Sequence, residues 1–359
     1  MAASKPATKS KPAKGGSTAD SWPWDEMIAE FRALGGIADN LRRGEGRFGK
    51  GLFAIDPTQP VRVVVPKNLL FRLRDIEFKD GALIVAPASV ESGEVGAREK
   101  AFFDRYQAVF DWGEARAELE SYLTQMDALP QDVKDYLREH FEFKETFTGD
   151  VAARAQGRFL QTRMISWKEF YVIFPVMELV NHAAAAPGFT VKDEAIEIGG
   201  TFADEVYVRY NVADPMGVFA NWGFVSEELV AFSVKMGVNI GPRQIVINRD
   251  LRKKTLVGDF LAPSVTEENG VTQLSYLMIG NARYPRLSKG LFYKLMRDLG
   301  LEPQAEEMFD HILHHNRTIF FGFLAVLENH EGPMITMLRR LCRHQLEAMS
   351  YSLGVREIG

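Results

Sequence analysis

The chain has 359 residues, of which 46% are apolar and 25% charged, and 25 Phe, 10 Tyr and 5 Trp can supply a packed core. This composition excludes a disordered or collagen-like polymer, and the length predicts two domains or one domain with a large insertion. A formal net charge of −5 gives no support to a generic basic nucleic-acid binder.

The charge is unevenly distributed along the chain. Lys5, Lys9, Lys11 and Lys14 precede the first acidic residue, Asp20, so this stretch carries +4 and the remainder −9. The beginning of the chain has no aromatic residue before Trp22 and cannot bury enough apolar area to offset its ordering entropy. We therefore predict a disordered basic tail over residues 1–21 and an acidic body.

Cysteine content and apolar runs indicate the compartment. Cys342 is the single cysteine, which excludes an intramolecular disulfide and a cysteine-only metal cluster. No uninterrupted apolar run reaches the ~20 residues needed to cross a bilayer, and the N-terminus lacks the apolar centre of a secretion signal. We expect a cytoplasmic protein that does not bind a membrane.

Hydrophobic periodicity predicts the elements of the first half. A short amphipathic helix is expected within Trp22–Ile37, and two strands around a turn follow. The pattern becomes helical from about residue 98 to 155 and continues as further helical segments. The two strands and the further helices are expected at Leu52–Ile55, Val61–Val65, Arg158–Ile165 and Lys168–Val180.

The second half alternates between the two periodicities before it becomes helical. Short strands are expected first, then a helix within Ser226–Met236, then two strand-like runs, and finally helices over Leu287–Ser352. The expected strands are Phe189–Val191, Ile196–Ile198, Val206–Tyr210, Gln244–Ile247 and Thr272–Met278.

The segment Gly46-Arg-Phe-Gly49-Lys-Gly51 is rich in glycine, which lets backbone approach a ligand closely. It is not a phosphate-binding loop, because no Gly-Lys-Ser/Thr follows, and it lacks the spacing of a dinucleotide fingerprint. By itself the segment is more often an ordinary hairpin turn.

Two further features each admit two interpretations. Asn181-His182 ends an apolar segment, either as an Asn helix cap with a half-buried histidine or as a chain crossing that offers side-chain and main-chain groups. Arg163 is either the partner of a surface carboxylate or a clamp for a ligand carboxylate.

Tyrosines and histidines also cluster in the sequence. Tyr207 and Tyr210 alternate with valines, as in an amphipathic strand with one wet face, and a tyrosine at a strand end can also position a reacting amine. His311, His314 and His315 have helical i, i+3, i+4 spacing that could suit zinc or iron. We expect an ordinary helix surface here and no metal, because no Glu-x-x-His pattern accompanies the histidines.

Taken in chain order, these segments resemble the SET-domain protein methyltransferases, in particular the type that includes the Rubisco large-subunit lysine methyltransferase. Each motif is weak alone, and their ordered occurrence carries the resemblance. The matching segments are Gly49-Lys-Gly51-Leu-Phe-Ala54, Asp56 to Val65-Pro66-Lys67, Leu160-Gln-Thr162-Arg163, Glu178-Leu-Val-Asn181-His182, Asp204-Glu205-Val-Tyr-Val-Arg-Tyr210 and Asn221-Trp222-Gly223-Phe224-Val225.

The resemblance implies an α+β fold of short β-sheets with a helical insertion and a mainly helical, substrate-binding-like C-terminal domain. The first part of the SET domain would span residues 22–90 and the insertion residues 91–157. The second part of the SET domain would span residues 158–230, and the C-terminal domain residues 231–359.

The resemblance also implies transfer of a methyl group from S-adenosyl-L-methionine to a lysine side chain of a protein substrate. The acidic body suits such a basic segment. The cofactor-binding residues would be Phe48, Gly49, Lys50, Gly51, Thr162, Arg163, Asn181 and His182. The catalytic residues would be Tyr210 and Trp222, and the substrate-binding residues Tyr207 and Phe224.

The chain departs from the family pattern at Trp222, where the family has a tyrosine before Gly-Phe. An indole N–H donates a hydrogen bond but cannot accept one, unlike a phenolic oxygen. Two alternatives therefore stay open beside the lysine methyltransferase. One is a catalytically impaired SET-fold protein that binds cofactor or peptide, and the other is a histidine N-methyltransferase.

Overall fold

The computed structural model describes residues 22–143, 146–183, 185–210, 215–241, 243–249, 255–257 and 260–353. The predicted disordered tail over residues 1–21 lies outside these ranges. The α-helices are α1 (Trp24–Ala33), α2 (Pro87–Glu91), α3 (Ala97–Val109), α4 (Trp112–Asp127), α5 (Gln131–Phe141), α6 (Val151–Arg163), α7 (Pro215–Trp222), α8 (Leu287–Asp298), α9 (Ala305–Glu328) and α10 (Pro333–Leu353).

The strands are short and form several small sheets, so the predicted α+β class is confirmed. In the first half they are β1 (Ile37–Asp39), β2 (Leu41–Gly46), β3 (Gly49–Ala54), β4 (Val61–Pro66), β5 (Phe71–Arg72), β6 (Ile76–Lys79), β7 (Ala82–Val85), β8 (Ile165–Trp167) and β9 (Phe170–Ile173). After these come β10 (Asn181–His182), β11 (Thr190–Val191), β12 (Ala195–Gly200), β13 (Tyr207–Val208), β14 (Val230–Phe232), β15 (Met236–Ile240), β16 (Arg243–Asn248), β17 (Thr255–Val257), β18 (Phe260–Ala262), β19 (Ser264–Glu268), β20 (Val271–Ser275) and β21 (Met278–Asn281).

One hydrophobic core gathers buried side chains from Trp22 to Val208. Its largest sheet has the order β1-β4-β12-β11, and every pair in it is antiparallel. The central strand β4 has Val63 and Val65 fully buried and Val64 nearly so, because neighbouring strands and packed helices leave neither face to water. The two strands predicted around Asp56-Pro57 both exist, but β3 pairs with β2 whereas β4 pairs with β1 and β12.

The predicted helical region from about residue 98 to 155 is confirmed as α3, α4, α5 and the beginning of α6. Phe102, Phe103 and Tyr106 of α3 have no exposed surface, as the predicted aromatic stripe requires. Residues 157 and 158 lie inside α6, so the predicted end of the insertion divides a helix. The insertion also contributes side chains to both hydrophobic cores, because α3 packs into the first core and α5 into the C-terminal one.

The predicted helix over Lys168–Val180 is wrong. This segment forms β9 and a single 3-10 turn at Met177–Leu179. The segment has a nearly continuous run of apolar residues because the strand and the turn are both buried. A short run of this kind does not distinguish a buried strand from a buried helix. Between them Val176 has φ 71° and ψ −52°, and its N–H donates to the Tyr106 hydroxyl at 2.9 Å. A β-branched residue in this conformation is strained, so the surrounding core must impose the turn.

A second hydrophobic core gathers α5, α7 and the chain from Val225 to Met349. The helix predicted within Ser226–Met236 is wrong, because β14 and the start of β15 occupy this segment. The segment alternates apolar residues at Val230, Phe232, Val234 and Met236, a period-two strand signal that competes with the helical one. Within the described part of residues 231–359, helices still contribute more residues than strands, in agreement with the predicted mainly helical C-terminal domain. The short strands β14 to β21 lie between Val230 and Asn281, and the predicted helices follow as α8, α9 and α10.

The C-terminal helix α10 closes this second core. It packs against β14 and β21 so closely that a Cβ on Gly280 would lie 2.5 Å from the carbonyl carbon of Ala348. Its first turns extend to the N-terminal half, where Met334 and Met337 line a large cavity. None of the helices in the described ranges is long and apolar enough to cross a membrane.

Candidate active site

A cavity of about 820 Å³ lies between the β2–β3 hairpin, the first turns of α4, the end of α6 and the beginning of α10. All the predicted site residues except His182 and Tyr207 line it. The lining residues among those predicted are Phe48, Gly49, Lys50, Gly51, Thr162, Arg163, Asn181, Tyr210, Trp222 and Phe224. Segments up to about 170 residues apart in the sequence thus meet around one space.

The glycine-rich segment is a hairpin, and it also forms one wall of the cavity. Gly49 has φ +88°, a conformation that side chains disfavour, at the turn into β3. Gly51 leaves room for two side chains of the site. A Cβ at this position would lie 2.7 Å from both Asn181 Nδ2 and Glu205 Oε1, so a larger residue would have to displace them.

Asn181 connects this hairpin to the strand that bears the tyrosines. Its Nδ2 donates to the carbonyl of Lys50 at 3.1 Å and to Glu205 Oε1 at 2.7 Å, while the Tyr207 hydroxyl donates to Glu205 Oε2 at 2.7 Å. Glu205 is 5% exposed, so both carboxylate oxygens find partners inside the protein. The chain-crossing interpretation therefore holds, and the helix-cap interpretation is wrong, because Asn181 lies in β10 and pairs with β13 in parallel.

His182 lies behind the cavity wall and supports it. Its Nδ1 accepts the backbone N–H of Tyr210 at 3.1 Å, and its ring contacts the rings of Tyr210 and Phe224. Burial lowers the pKa of His182 to about 4, so the imidazole is neutral near pH 7. The histidine thus holds Tyr210 and is not placed to exchange protons with a ligand in the cavity.

Tyr210 presents its ring to the cavity next to Trp222, with ring centroids 5.9 Å apart. Its hydroxyl donates to the carbonyl of Val180, which fixes the direction of the O–H bond. Burial raises the pKa of Tyr210 to about 12, so the phenol stays protonated. The phenolic oxygen retains lone pairs that can accept a hydrogen bond.

Tyr207 lies beside the tip of the hairpin, outside the cavity lining. Its ring centroid is 6.0 Å from that of Phe48, and burial raises its pKa to about 12, with its bond to Glu205 adding to the shift. The side chain therefore braces the hairpin and Glu205, while the other predicted substrate residue, Phe224, lines the cavity.

Arg163 is held by a buried carboxylate, so the surface-carboxylate interpretation is wrong. Its Nε donates to Asp111 Oδ1 at 3.0 Å, and Asp111 is 2% exposed. Among the residues that the structure describes, no hydrogen bond is made by the two terminal nitrogens of the guanidinium. The guanidinium lines the cavity and retains donors for a ligand carboxylate.

A second buried carboxyl group adjoins this pair. The Gln107 side-chain amide donates to Glu178 Oε1 at 3.2 Å and to Asp111 Oδ2 at 3.4 Å, and Glu178 Oε2 is buried with no partner in the described part of the chain. Burial, and then the negative charge of Asp111, raise the pKa of Glu178 well above its usual range. Burial thus favours the protonated form of Glu178, and the neighbouring Asp111 carboxylate pairs with Arg163.

This protonation predicts how stability depends on pH. Above its ordinary pKa of 4.5, Glu178 loses its proton in the unfolded chain but keeps it in the folded protein, so stability falls as pH rises from 4.5 toward the raised pKa. Glu178→Gln, which keeps the shape and a donor toward Asp111, should raise the melting temperature more at pH 8 than at pH 4.5. Thermal unfolding of both proteins measures this, and an equal effect at the two pH values would contradict a buried proton on Glu178.

Sequence reasoning missed the acidic side of the cavity. Glu114, in the first turn of α4, accepts from Arg43 Nη1 at 3.0 Å and pairs with Lys50 Nζ at 3.1 Å, so it fastens the hairpin to the insertion. Asp111 and Glu114 flank the apolar Trp112, and acidic residues at a helix start are an ordinary feature. One indication in the sequence that Asp111 is buried is its position between two aromatic residues in Phe110-Asp111-Trp112.

An ion-pair bridge joins the hairpin tip to α10. Glu227 Oε1 accepts from Arg47 at the hairpin tip and from Arg340 Nη2 of α10 at 3.1 Å. These groups are partly exposed, so the bridge contributes little to global stability. It connects the two halves of the molecule on either side of the cavity.

The predicted histidine cluster lies on α9, far along the chain from these residues. Within the described ranges, no group of three or more His, Cys, Asp or Glu side chains is arranged to hold a metal ion.

No protein-family model matches the chain, and no curated protein matches it. Among solved structures, the chain is similar to the crystal structure of the SET domain of LSMT bound to lysine and AdoHcy, at a TM-score of 0.43 and 12% identity. It is also similar to the structure of Rubisco LSMT bound to AdoMet, at a TM-score of 0.42 and 14% identity. Each comparison covers 92% of this chain and 90% of the other.

Proposed function

We propose that this protein is a methyltransferase that transfers a methyl group from S-adenosyl-L-methionine to a lysine side chain of a protein, in the cytoplasm. One observation carries the proposal. The site residues predicted from the segments that resemble the SET-domain enzymes come from separate parts of the chain, and all of them except His182 and Tyr207 line a single cavity. A cavity of about 820 Å³ lies within the ordinary range for ligand sites.

The charges of the cavity wall fit this cofactor. The wall carries the cations Arg43, Lys50 and Arg163. Its carboxyl groups are Glu45, Asp111, Glu114, Glu118 and Glu178. With Glu178 protonated, one negative charge is in excess. A ligand with a sulfonium, an ammonium and a carboxylate has one positive charge in excess, which this wall complements.

Three parts of the chain would hold the cofactor. The free donors of Arg163 suit its carboxylate, the backbone at Phe48 and Lys50 suits its polar chain, and the main chain of Asn181-His182 suits its adenine. The close packing at Gly51 and the Asn181–Glu205 bond keep these parts in register before any ligand arrives. When bound, the cofactor supplies an electrophilic methyl group on sulfur.

The chain itself positions the reacting groups. Alignment of donor and acceptor contributes several kcal/mol of barrier reduction, about 7–11 at the upper limit. The Tyr210 oxygen can accept an N–H from the substrate amine and so direct the nitrogen lone pair. With its pKa at about 12, Tyr210 is not the base. Removal of the amine from water favours its neutral form, which lowers the lysine pKa from ~10.4.

The experiment uses the full-length protein, radiolabelled S-adenosylmethionine and an extract of the cells in which the protein occurs. We expect label in one or few proteins, and mass spectrometry of the labelled protein should place the methyl group on lysine. A methyl group on histidine would select the alternative enzyme. Cofactor binding by calorimetry without any labelled protein would contradict both enzyme readings.

A specific observation favours a second candidate, an impaired SET-like binding protein. The indole N–H of Trp222 is buried and has no acceptor among the described residues. The position where the family has a tyrosine thus offers a substrate amine no lone pair.

Replacement of Trp222 distinguishes the two candidates. If Trp222 belongs to a working pocket, Trp222→Tyr should lower the turnover rate about tenfold, because a smaller ring leaves a gap beside Tyr210. Trp222→Phe, which also removes the N–H, is the matched control for size. A rate that instead rises in Trp222→Tyr would support the impaired protein.

A further inference from the structure

A second cavity, of about 280 Å³, lies between α4, α5, α6 and the end of α7. Tyr122 lines both cavities and separates them. None of the site residues predicted from the motifs lines this smaller cavity, and the proposed methyl transfer does not require it. Its wall combines apolar side chains with several cations.

The central feature of this cavity is Arg158, which is only 8% exposed. Its Nη2 donates to the Tyr122 hydroxyl at 3.3 Å and to the carbonyl of Ala220 at 3.2 Å, and its guanidinium lies 4.5 Å from the centre of the Tyr122 ring. All of these partners are uncharged. Its Nε is buried and has no acceptor among the described residues.

A buried cation without an anionic partner is costly, and burial lowers the pKa of Arg158 accordingly. Asp127, the carboxylate found among the described residues of the wall, does not compensate it. Asp127 accepts from Arg154 Nη1 at 2.9 Å, also from Arg154 Nη2, and lies next to Lys134, whose amine donates to the Asp127 carbonyl. The carboxylate of Asp127 is thus engaged by another arginine.

The remaining wall adds positive charge and apolar surface. Lys134 and Arg138 line it from α5, so its charged groups sum to a positive excess. The apolar part is formed by Leu123, Met126, Leu129, Leu137, Phe143 and Phe147. A ligand for this space needs an anionic group for Arg158 and a small apolar body for the rest.

We propose that this cavity binds a small organic carboxylate with a short apolar chain, whose carboxylate pairs with Arg158. Such a pair supplies the charge-assisted bonds that the buried guanidinium lacks. Arg158 also donates to the carbonyl of Ala220 in α7, two residues before Trp222, which lines the large cavity. A bound carboxylate would therefore pair with the same guanidinium that contacts α7.

Calorimetry of the full-length protein with butyrate tests the site. We expect a dissociation constant on the order of 1 mM, with butyramide, the uncharged analogue, at least about tenfold weaker. Inorganic phosphate, an anion without an apolar body, should also be weaker than butyrate. Equal binding of butyrate and butyramide, or no heat with butyrate up to about 20 mM, would overturn the proposal.

Variants tie the binding to Arg158. Arg158→Gln should abolish butyrate binding, and Arg158→Lys, which keeps the charge but loses the planar fork, should weaken it about tenfold. Arg343→Gln alters an exposed arginine of α10 outside both cavities and should bind like the parent. Circular dichroism establishes that each variant is folded. Should Arg158→Gln not fold, Arg158→Lys decides, and unchanged affinity in that variant would refute the assignment.

Discussion

Tyr210→Phe is expected to lower the rate of methyl transfer by about 100- to 1,000-fold, the range seen when one positioned polar group is removed from an active site. The ring contacts with His182 and Trp222 do not require the hydroxyl, so the fold should be retained. Loss of the bond to Val180 costs about 1 kcal/mol of stability.

The measurements separate chemistry from binding. We expect affinity for S-adenosylhomocysteine to change less than about threefold, because the hydroxyl is assigned to the amine and not to the cofactor. Tyr171→Phe, at a half-exposed tyrosine of β9, removes a hydroxyl outside the cavity and should behave like the parent. Full activity in Tyr210→Phe would remove the phenol from the mechanism, and a loss caused only by weaker cofactor binding would reassign it.

Gly280→Ala is expected to destabilise the C-terminal core by about 3 kcal/mol. The added Cβ would lie 2.5 Å from the Ala348 carbonyl carbon and 2.7 Å from the Met349 nitrogen, and closer still to the Ala348 oxygen. These are backbone atoms of α10, so no rotamer change relieves the overlap. The whole helix must move away from β21.

Urea unfolding monitored by circular dichroism measures this loss. Gly237→Ala is the matched control, because a Cβ at that strand glycine of β15 meets no atom within 4 Å. We expect the control to change stability by less than about 1 kcal/mol. A similar small change for Gly280→Ala would contradict the close packing of α10 on β21.

Local periodicity predicted the amphipathic and solvent-facing elements well, because one polar face makes the period visible. The helices α1 and α3 to α5, and α8 to α10, are of this kind. The two wrong helices, over Lys168–Val180 and Ser226–Met236, lie where the chain is buried on several sides. In the first segment few polar residues mark a face, and in the second a period-two pattern competes with the helical one, so tertiary packing decides between strand and helix.

The residues of the candidate site likewise fall into those that the sequence predicts and those that only tertiary packing brings together. Residues within motifs, such as Asn181 and Tyr210, could be predicted because short local segments around them resemble those of the SET-domain enzymes. Asp111 and Glu114 could not, because they enter the cavity from the helical insertion, and only the packing of α4 against the hairpin brings them there. The proton on Glu178 depends on burial next to Asp111, which no spacing in the sequence encodes.

The two methionines of α10 give the large cavity an unusual energetic property. Met334 and Met337 belong to the C-terminal helix, and the Glu227 bridge fastens that helix to the hairpin tip. A ligand that needs this wall binds only while α10 is docked. At 100 times its dissociation constant it adds about 2.7 kcal/mol to the free energy of undocking. Binding of a ligand in the large cavity thereby stabilises the C-terminal core against local opening at α10.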